Sequence, residues 1–178
     1  MSCNHGYNPT MAQTHGAGEW VFLTYSLPRT PSAPRLSLWR KLKRLGVAQL
    51  GDGLVALPSD ARTREQLEWA ADEALAAGGT AGVWLARPTT RAQERDIAQV
   101  MNAARAEEYR SLVHDAESTL HAAEVDRARV LRRLRVENHR IRRRDFFRPP
   151  ERERARQALL ALAASLDLAD GPDVEIVR

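Results

Sequence analysis

The sequence predicts an α+β protein: a ferredoxin-like βαββαβ sandwich, then a long α-helical arm or hairpin, then a C-terminal helix. Three observations support this. Strand-like and helix-like patterns alternate within residues 20–86, residues 91–148 contain neither glycine nor proline, and a leucine stripe follows two prolines near the C-terminus. We expect four parts: a disordered leader (1–18), the ferredoxin-like sandwich (19–88), a helical region (89–170) and a tail (171–178).

The sandwich begins with a strand at residues 20–27, which are rich in aromatic, aliphatic and β-branched side chains and stop at a proline. A helix follows, because Ser32 can cap its start and Gly46 can end it. The apolar stripe of that helix consists of Leu38, Leu42 and Leu45.

The second half of the sandwich is a hairpin, a helix and a strand. Two short apolar runs flank Gly51-Asp52-Gly53, which predicts a hairpin over residues 47–57. Asp60 or Thr63 can cap the next helix, and Thr63 with Gln66 fits a capping box. The last strand is predicted at residues 80–86. This order allows one antiparallel sheet with both helices on one face.

The region after residue 90 predicts long helices, because its residues are mostly good helix formers. One straight helix over it would be about 80 Å long, which favours either a partner helix or a helical hairpin. Asp145 to Pro150 should end this segment, and residues 151–167 should form the final helix. The predicted apolar track contains Tyr109, Val113, Ala116, Leu120, Ala123, Val130, Leu134 and Ile141.

Positive charge is concentrated rather than spread. The chain carries +4, yet ten arginines and only two acids lie in residues 127–148, so this segment carries +8 and the remainder −4. The first helix adds five cations without an acid. Two basic segments in a small protein indicate contacts with a phosphate backbone. The predicted DNA-binding residues are Arg35, Arg40, Lys41, Lys43, Arg44, Arg132, Arg133, Arg140, Arg142, Arg143 and Arg144.

Several function classes lack their signatures. No Gly-rich phosphate loop, HExxH or Gly-x-Ser-x-Gly motif is present, so we predict no catalytic set, no cofactor and no metal site. Cys3 is the only cysteine, which favours a reducing, cytoplasmic compartment. No apolar run approaches the length of a membrane span.

Two alternatives to DNA binding remain open. In the first, Trp39, Trp69 and Tyr109 line a pocket between the sandwich and the helical arm, with arginines such as Arg35 holding an oxyanion; such a pocket would suit a binding protein or an enzyme. In the second, the helices only mediate self-association, and the chain is a homodimer.

The motifs also resemble a known family. Residues 20–28, Pro34-Arg35, Leu38 to Leu42, Leu45-Gly46 and 54–58 are similar to the N-terminal region of ChrB-type chromate-resistance regulators. The stretch from Ile141 to Phe147 looks like the I-x-x-x-D-F-F segment of that family. The resemblance covers roughly residues 20–168.

What the resemblance implies is a regulator that binds promoter DNA of a chromate-resistance operon, with chromate as a possible effector. Longer members of the family carry a second domain, and any sensing role of that domain does not transfer to these residues. The strand order also looks like small CRISPR-associated nucleases, whose first strand ends at a metal-binding aspartate. Here that strand ends Tyr25-Ser26-Leu27 without a carboxylate.

Overall fold

A computed structural model describes residues 18–167, so nearly all of the predicted leader (1–18) and the predicted tail (171–178) lie outside the described residues. The described chain forms two compact units. The sheet unit contains residues 18–38 and 49–94, and the helical unit contains residues 39–48 and 95–167. The elements are β1 (Trp20–Ser26), α1 (Ala33–Leu45), β2 (Ala48–Gly51), β3 (Leu54–Pro58), α2 (Ala61–Ala76), β4 (Thr80–Ala86), α3 (Arg91–Thr119), α4 (Glu124–Arg142) and α5 (Glu151–Asp167).

The four strands form one antiparallel sheet in the order β2-β3-β1-β4. β1 pairs with β3 and β4, and Phe22 lies opposite Ala56 on one side and Trp84 on the other. Side chains alternate along β1, since Val21 and Leu23 are fully buried whereas Thr24 is exposed. The predicted α+β class and βαββαβ order are confirmed.

The start of α2 differs from the predicted capping box. Asp60 is the N-cap, its carboxylate accepts the Thr63 backbone N–H at 2.6 Å, and the Thr63 hydroxyl accepts the Asp60 N–H at 2.9 Å. The Thr63–Gln66 box was therefore wrong, because the helix begins at Ala61 and places Thr63 at the third helical position. The buried Thr63 hydroxyl also donates to the Pro58 carbonyl at 2.7 Å.

The segment for which one long helix was an alternative forms two helices, α3 and α4. α3 ends at Thr119 and α4 begins at Glu124, although the connection contains neither glycine nor proline. Its backbone is held by a hydrogen bond from the Ala122 N–H to the Thr119 carbonyl at 3.0 Å. The single straight helix is therefore excluded, because residues 120–123 connect two separate helices.

The core of the helical unit draws on α3, α4 and α5. Its buried residues are Tyr109, Leu112, Ala116, Leu131, Leu134, Ile141, Ala155, Leu159 and Leu162. The predicted apolar track found four of them but missed Leu112 and Leu131, and it included Ala123, which is exposed. The other track positions, Val113, Leu120 and Val130, are partly buried against the same core.

No helix within residues 18–167 combines the length and the apolarity that crossing a bilayer requires.

Candidate nucleic-acid interface

Helix α4 has a buried face and an exposed basic face. Leu131, Leu134 and Ile141 are buried in the core of the helical unit. Beside this face, four exposed side chains at spacings of three, four and three residues lie along one side of the helix. We call Arg132, Arg135, His139 and Arg142 the α4 stripe. It extends about 15 Å along the helix axis.

Arginines beside the stripe are paired with carboxylates. Arg129 contacts Asp126 at 2.8 Å and Arg133 contacts Asp115 of α3 at 2.9 Å. A looser pair joins Arg140 to Glu137 at 3.5 Å.

The three stripe arginines differ from these neighbours. Within residues 18–167, Arg132, Arg135 and Arg142 have no carboxylate oxygen within 4.0 Å. All three residues are exposed, so their guanidinium groups are accessible from solvent. Arg135 was absent from the predicted binding residues, although the spacing 132, 135, 139, 142 was a signal that could have found it.

The first basic segment also presents cations on one side. Arg40, Lys43 and Arg44 are exposed and lie opposite the buried Leu38 and Leu42. We call Arg40, Lys43 and Arg44 the α1 patch.

Within α1, Lys43 stays accessible, whereas Arg35 and Lys41 are less available. The ammonium of Lys43 lies 5.3 Å from the ring centre of Trp39, a cation–π distance that leaves the charge in solvent. Arg35 is exposed but donates to the Pro28 carbonyl at 3.1 Å, and Lys41 is half-buried.

Gly46 brings the end of α1 to the end of α4 within the helical unit. Its φ of +76° ends α1 in the left-handed region, which favours glycine. A Cβ atom at this position would lie 2.7 Å from Nη1 of Arg105 and 2.9 Å from Cβ of Arg144. Only glycine allows this approach, so the two basic segments meet although about 90 residues separate them in sequence.

Arg144 itself is largely buried. Its Nη2 donates to Glu108 Oε1 at 3.0 Å, and the same oxygen accepts from Arg105 Nη2 at 3.0 Å. The side chains of Arg105 and Arg144 are 12% and 18% exposed. Burial lowers the pKa of Arg105, an effect that Glu108 opposes and the Arg144 charge reinforces. Arg144 therefore acts inside the helical unit, whereas Arg143 at the C-cap of α4 is exposed.

A buried carboxylate fixes the turn between α4 and α5. The Asp145 side chain is fully buried and accepts from the Tyr109 hydroxyl at 3.0 Å and from Arg152 at 3.3 Å. It also accepts the backbone N–H of Arg148 at 2.8 Å, which stabilises the unusual φ of +53° at that residue. These bonds hold the C-terminal end of α4, and with it Arg142, against α3 and α5.

The predicted pocket residues occupy different environments. Trp69 of the sheet unit is 57% exposed and Trp39 of the helical unit is 46% exposed. Tyr109 is fully buried, and both burial and the neighbouring Asp145 raise its pKa. Because its hydroxyl is bonded to Asp145, Tyr109 is a core residue, and the pocket stays a prediction.

Comparison with known proteins covers most of these elements. The family model described as Protein ChrB, N-terminal, matches residues 35–170, from α1 to beyond α5. The chain belongs to this ChrB N-terminal family. Protein ChrB of Cupriavidus metallidurans is 29% identical over 157 residues, which are 86% of this chain and 48% of that protein. The chain thus spans about half the length of the curated relative. No solved structure matches.

The ChrB-like segment from Ile141 to Phe147 is mainly structural in this chain. Ile141 is buried in the helical core, and Asp145 supplies the buried carboxylate. Phe147 is 37% exposed, so the segment does not bury both of its phenylalanine rings.

Proposed function

We propose that this chain is a DNA-binding transcription regulator associated with chromate resistance, and that the α4 stripe contacts DNA phosphates. One observation carries the proposal. Three exposed arginines lie on one helix face without a carboxylate partner in the described chain, while their neighbours on the flank are paired. Clustered, unpaired guanidinium groups attract a polyanion and release its counterions.

A structural role alone explains the stripe less well. Cations in the last turn of a helix stabilise it by offsetting the helix dipole, and His139 and Arg142 lie there. Arg132 lies ten residues before the end of α4, where the dipole has no such effect. Binding to a polyanion would explain all the cations of the stripe, whereas the helix dipole explains only those in the last turn of α4.

The α1 patch extends the same proposal. Gly46 places the C-terminal end of α1 beside Arg144, which follows α4 directly. Lys43 and Arg44 in the last turn of α1 thereby approach the end of the α4 stripe. Phosphate contacts of this kind fix position on DNA and carry no sequence information, so base recognition requires other groups.

The test compares two triple variants of one helix. Arg132→Ala, Arg135→Ala and Arg142→Ala together remove the stripe. Arg129→Ala, Arg133→Ala and Arg140→Ala together remove the same charge from the flank, where each arginine has an acid. Binding to the chain's own upstream DNA is measured by fluorescence anisotropy between 50 and 300 mM salt.

We expect the stripe variant to reduce the slope of log affinity against log salt by up to about 3 × 0.9, because three phosphates lose their contacts. The flank variant should change the slope less, since its arginines are already neutralised. Circular dichroism checks that both variants fold. No binding of the unmodified chain at 50 mM salt, or an equal slope change in both variants, would contradict the proposal.

Regulators of this kind often bind as dimers to two half-sites, and we propose a homodimer here. Light scattering on the full chain tests the dimer independently of DNA. A monomer at the concentrations used for binding would refute the dimer without affecting the phosphate contacts of the α4 stripe.

A further inference from the structure

The sheet unit contains a groove that the proposed function does not use. It has a volume of about 440 Å³, which lies within the range of small-molecule sites. Three elements form it: the end of β1, the start of β4 and the β2–β3 turn. Its lining residues are Thr24, Tyr25, Ser26, Asp52, Gly53, Leu54, Thr80, Ala81, Gly82 and Trp84. We call it the β1-end groove.

Trp84 gives the groove a fixed aromatic surface. Its side chain is 58% exposed, yet its indole N–H donates to the Thr24 hydroxyl at 3.1 Å. The Thr24 hydroxyl in turn donates to the Gly82 carbonyl at 3.3 Å. A methyl group at Gly82 would lie 3.1–3.2 Å from the indole, so the ring lies close against the sheet surface. A large aromatic side chain held in this way loses little freedom when a ligand stacks on it.

The position of Asp52 is also fixed by the fold. The Tyr25 N–H donates to the Gly53 carbonyl at 2.8 Å, which ties the β2–β3 turn to β1. A side chain at Gly53 would overlap the Tyr25 carbonyl oxygen, so only glycine permits this close approach. The backbone of Asp52, next to Gly53, is thereby held at the groove, and the exposed Asp52 is one of the lining residues. Its charge adds to the effect of burial in raising the pKa of Tyr25.

The chemistry of the lining selects among ligands. Among the described residues that line the groove, Asp52 is the one carboxylate, and none is a lysine or an arginine. An ionised carboxylate accepts hydrogen bonds and disfavours an anion. Ser26 and Thr80, which lie opposite each other in the β1–β4 pairing, add hydroxyl groups. The part of a ligand that fits is therefore planar, uncharged or cationic, and carries N–H donors, and any phosphate attached to it has to lie outside the groove.

We propose that the β1-end groove binds an amino-substituted planar nitrogen heterocycle, such as adenine in a nucleoside or an unpaired nucleotide, stacked on Trp84 with its amino group toward Asp52. Stacking on an exposed aromatic ring tolerates any base, and the carboxylate favours a base with an exocyclic amine. The proposal is independent of the α4 stripe, which lies in the other unit.

The test uses the full chain and nuclear magnetic resonance of its tryptophan indole N–H groups. Adenosine is the first probe, purine riboside lacks the amino group, ribose lacks the base, and hexadeoxyadenylate presents the base within a single strand. We expect adenosine to shift the Trp84 signal saturably and to leave the Trp69 signal unchanged. Trp69 is a matched control because it is equally exposed on α2. Ribose should cause no shift.

Two variants test the contributions of the Trp84 ring and the Asp52 carboxylate to binding separately. Trp84→Ala should weaken adenosine binding by about tenfold or more, in line with the loss of one stacked base, while Trp69→Ala leaves it unchanged. Asp52→Asn lies in an exposed turn, so it should fold, and it should reduce the preference for adenosine over purine riboside because a charge-assisted bond is lost.

Each outcome decides the proposal. A saturable adenosine shift that Trp84→Ala removes supports it, and a tighter response to hexadeoxyadenylate identifies a single strand as the source of the base. An equal response of Trp84 and Trp69, the same affinity for purine riboside and adenosine, or no response to either adenine probe would overturn it.

Discussion

The sheet unit and the helical unit use charged side chains in different ways. Among the described residues, the core of the sheet unit is apolar apart from Thr63, and one of its ion pairs, Arg64–Glu68, lies on the surface of α2. The helical unit places ion pairs between its helices, as in Arg133–Asp115 and Arg110–Glu151. Hydrogen bonds between strands already fix the sheet, whereas helices of similar sequence need specific side-chain bonds to fix their packing.

This difference matters for function because many arginines of the helical unit are paired with carboxylates. Arg105 and Arg144 share Glu108, and Arg110 binds both Glu107 and Glu151. The number of arginines in a segment therefore overstates its free charge. The exposed arginines of the α4 stripe are informative because the surrounding helices pair so many others.

The largest expected effect is the loss of the buried carboxylate in the helical unit. Asp145→Ala leaves the Tyr109 hydroxyl, the Arg148 N–H and Arg152 without their acceptor in a buried site. We expect a loss of about 3–5 kcal/mol in the free energy of unfolding, because one partner of a buried ion pair is removed. Urea unfolding of Asp145→Ala and of the unmodified chain measures this difference in the free energy of unfolding.

Hydrogen exchange locates the effect of Asp145→Ala. The amides of α3, α4 and α5 should exchange faster, and those of β1 should change least. Asp126→Ala is the control, because its pair with Arg129 is exposed and should contribute less than about 1 kcal/mol. Similar losses in the two variants would show that the buried bonds are not the main contacts of the helical unit.

A smaller effect concerns the tyrosine that shares this site. Burial and Asp145 raise the pKa of Tyr109, so in the folded chain its phenol stays protonated above the unfolded pKa of about 10. The unfolded state then loses a proton that the folded state keeps. The contribution of Tyr109 to the free energy of unfolding is therefore fully present below pH 10 and falls as the pH rises above it.

The variant Tyr109→Phe removes this ionisation and the hydrogen bond to Asp145. We expect it to cost about 1–3 kcal/mol at pH 8, because a buried carboxylate loses a donor. Between pH 9 and pH 11 its unfolding free energy should fall less than that of the unmodified chain. Parallel decreases in urea unfolding over this pH range would show that Tyr109 does not titrate as its burial implies.

The sheet unit was the more predictable of the two from sequence. Its strands are short and separated by turn residues such as Gly53 and Gly78, and its order follows from those signals. The helical unit offered weaker signals, because the break at residues 120–123 has no glycine or proline. The composition allowed a long helix, whereas α3 ends at Thr119 and α4 begins at Glu124.

The candidate site was predictable in location but not in detail. The charge count pointed to the segment that contains the α4 stripe, yet it could not tell Arg142 from Arg144. Arg144 is buried beside Glu108, an acid 36 residues earlier in the chain, and Arg142 is exposed. That distinction depends on how α3 packs beside the end of α4, which the local sequence does not encode.

The smallest effects concern the helix starts, where the two units also differ. Asp60 caps α2 in the sheet unit, whereas Ala123 begins α4 in the helical unit without a side-chain bond to its free N–H groups. We expect Asp60→Ala to cost about 1 kcal/mol and Ala123→Asp to stabilise the chain by about 0.5–1 kcal/mol, since an aspartate at the N-cap accepts one of those groups. Thermal unfolding of both variants tests this.

The variant Ala123→Asn separates the hydrogen bond of the cap from its negative charge, because Glu124 and Asp126 already place negative charge in the first turn of α4. An amide cap that stabilises as well as the acid indicates hydrogen bonding, whereas stabilisation by neither variant would mean that the α3–α4 connection leaves no room for a cap.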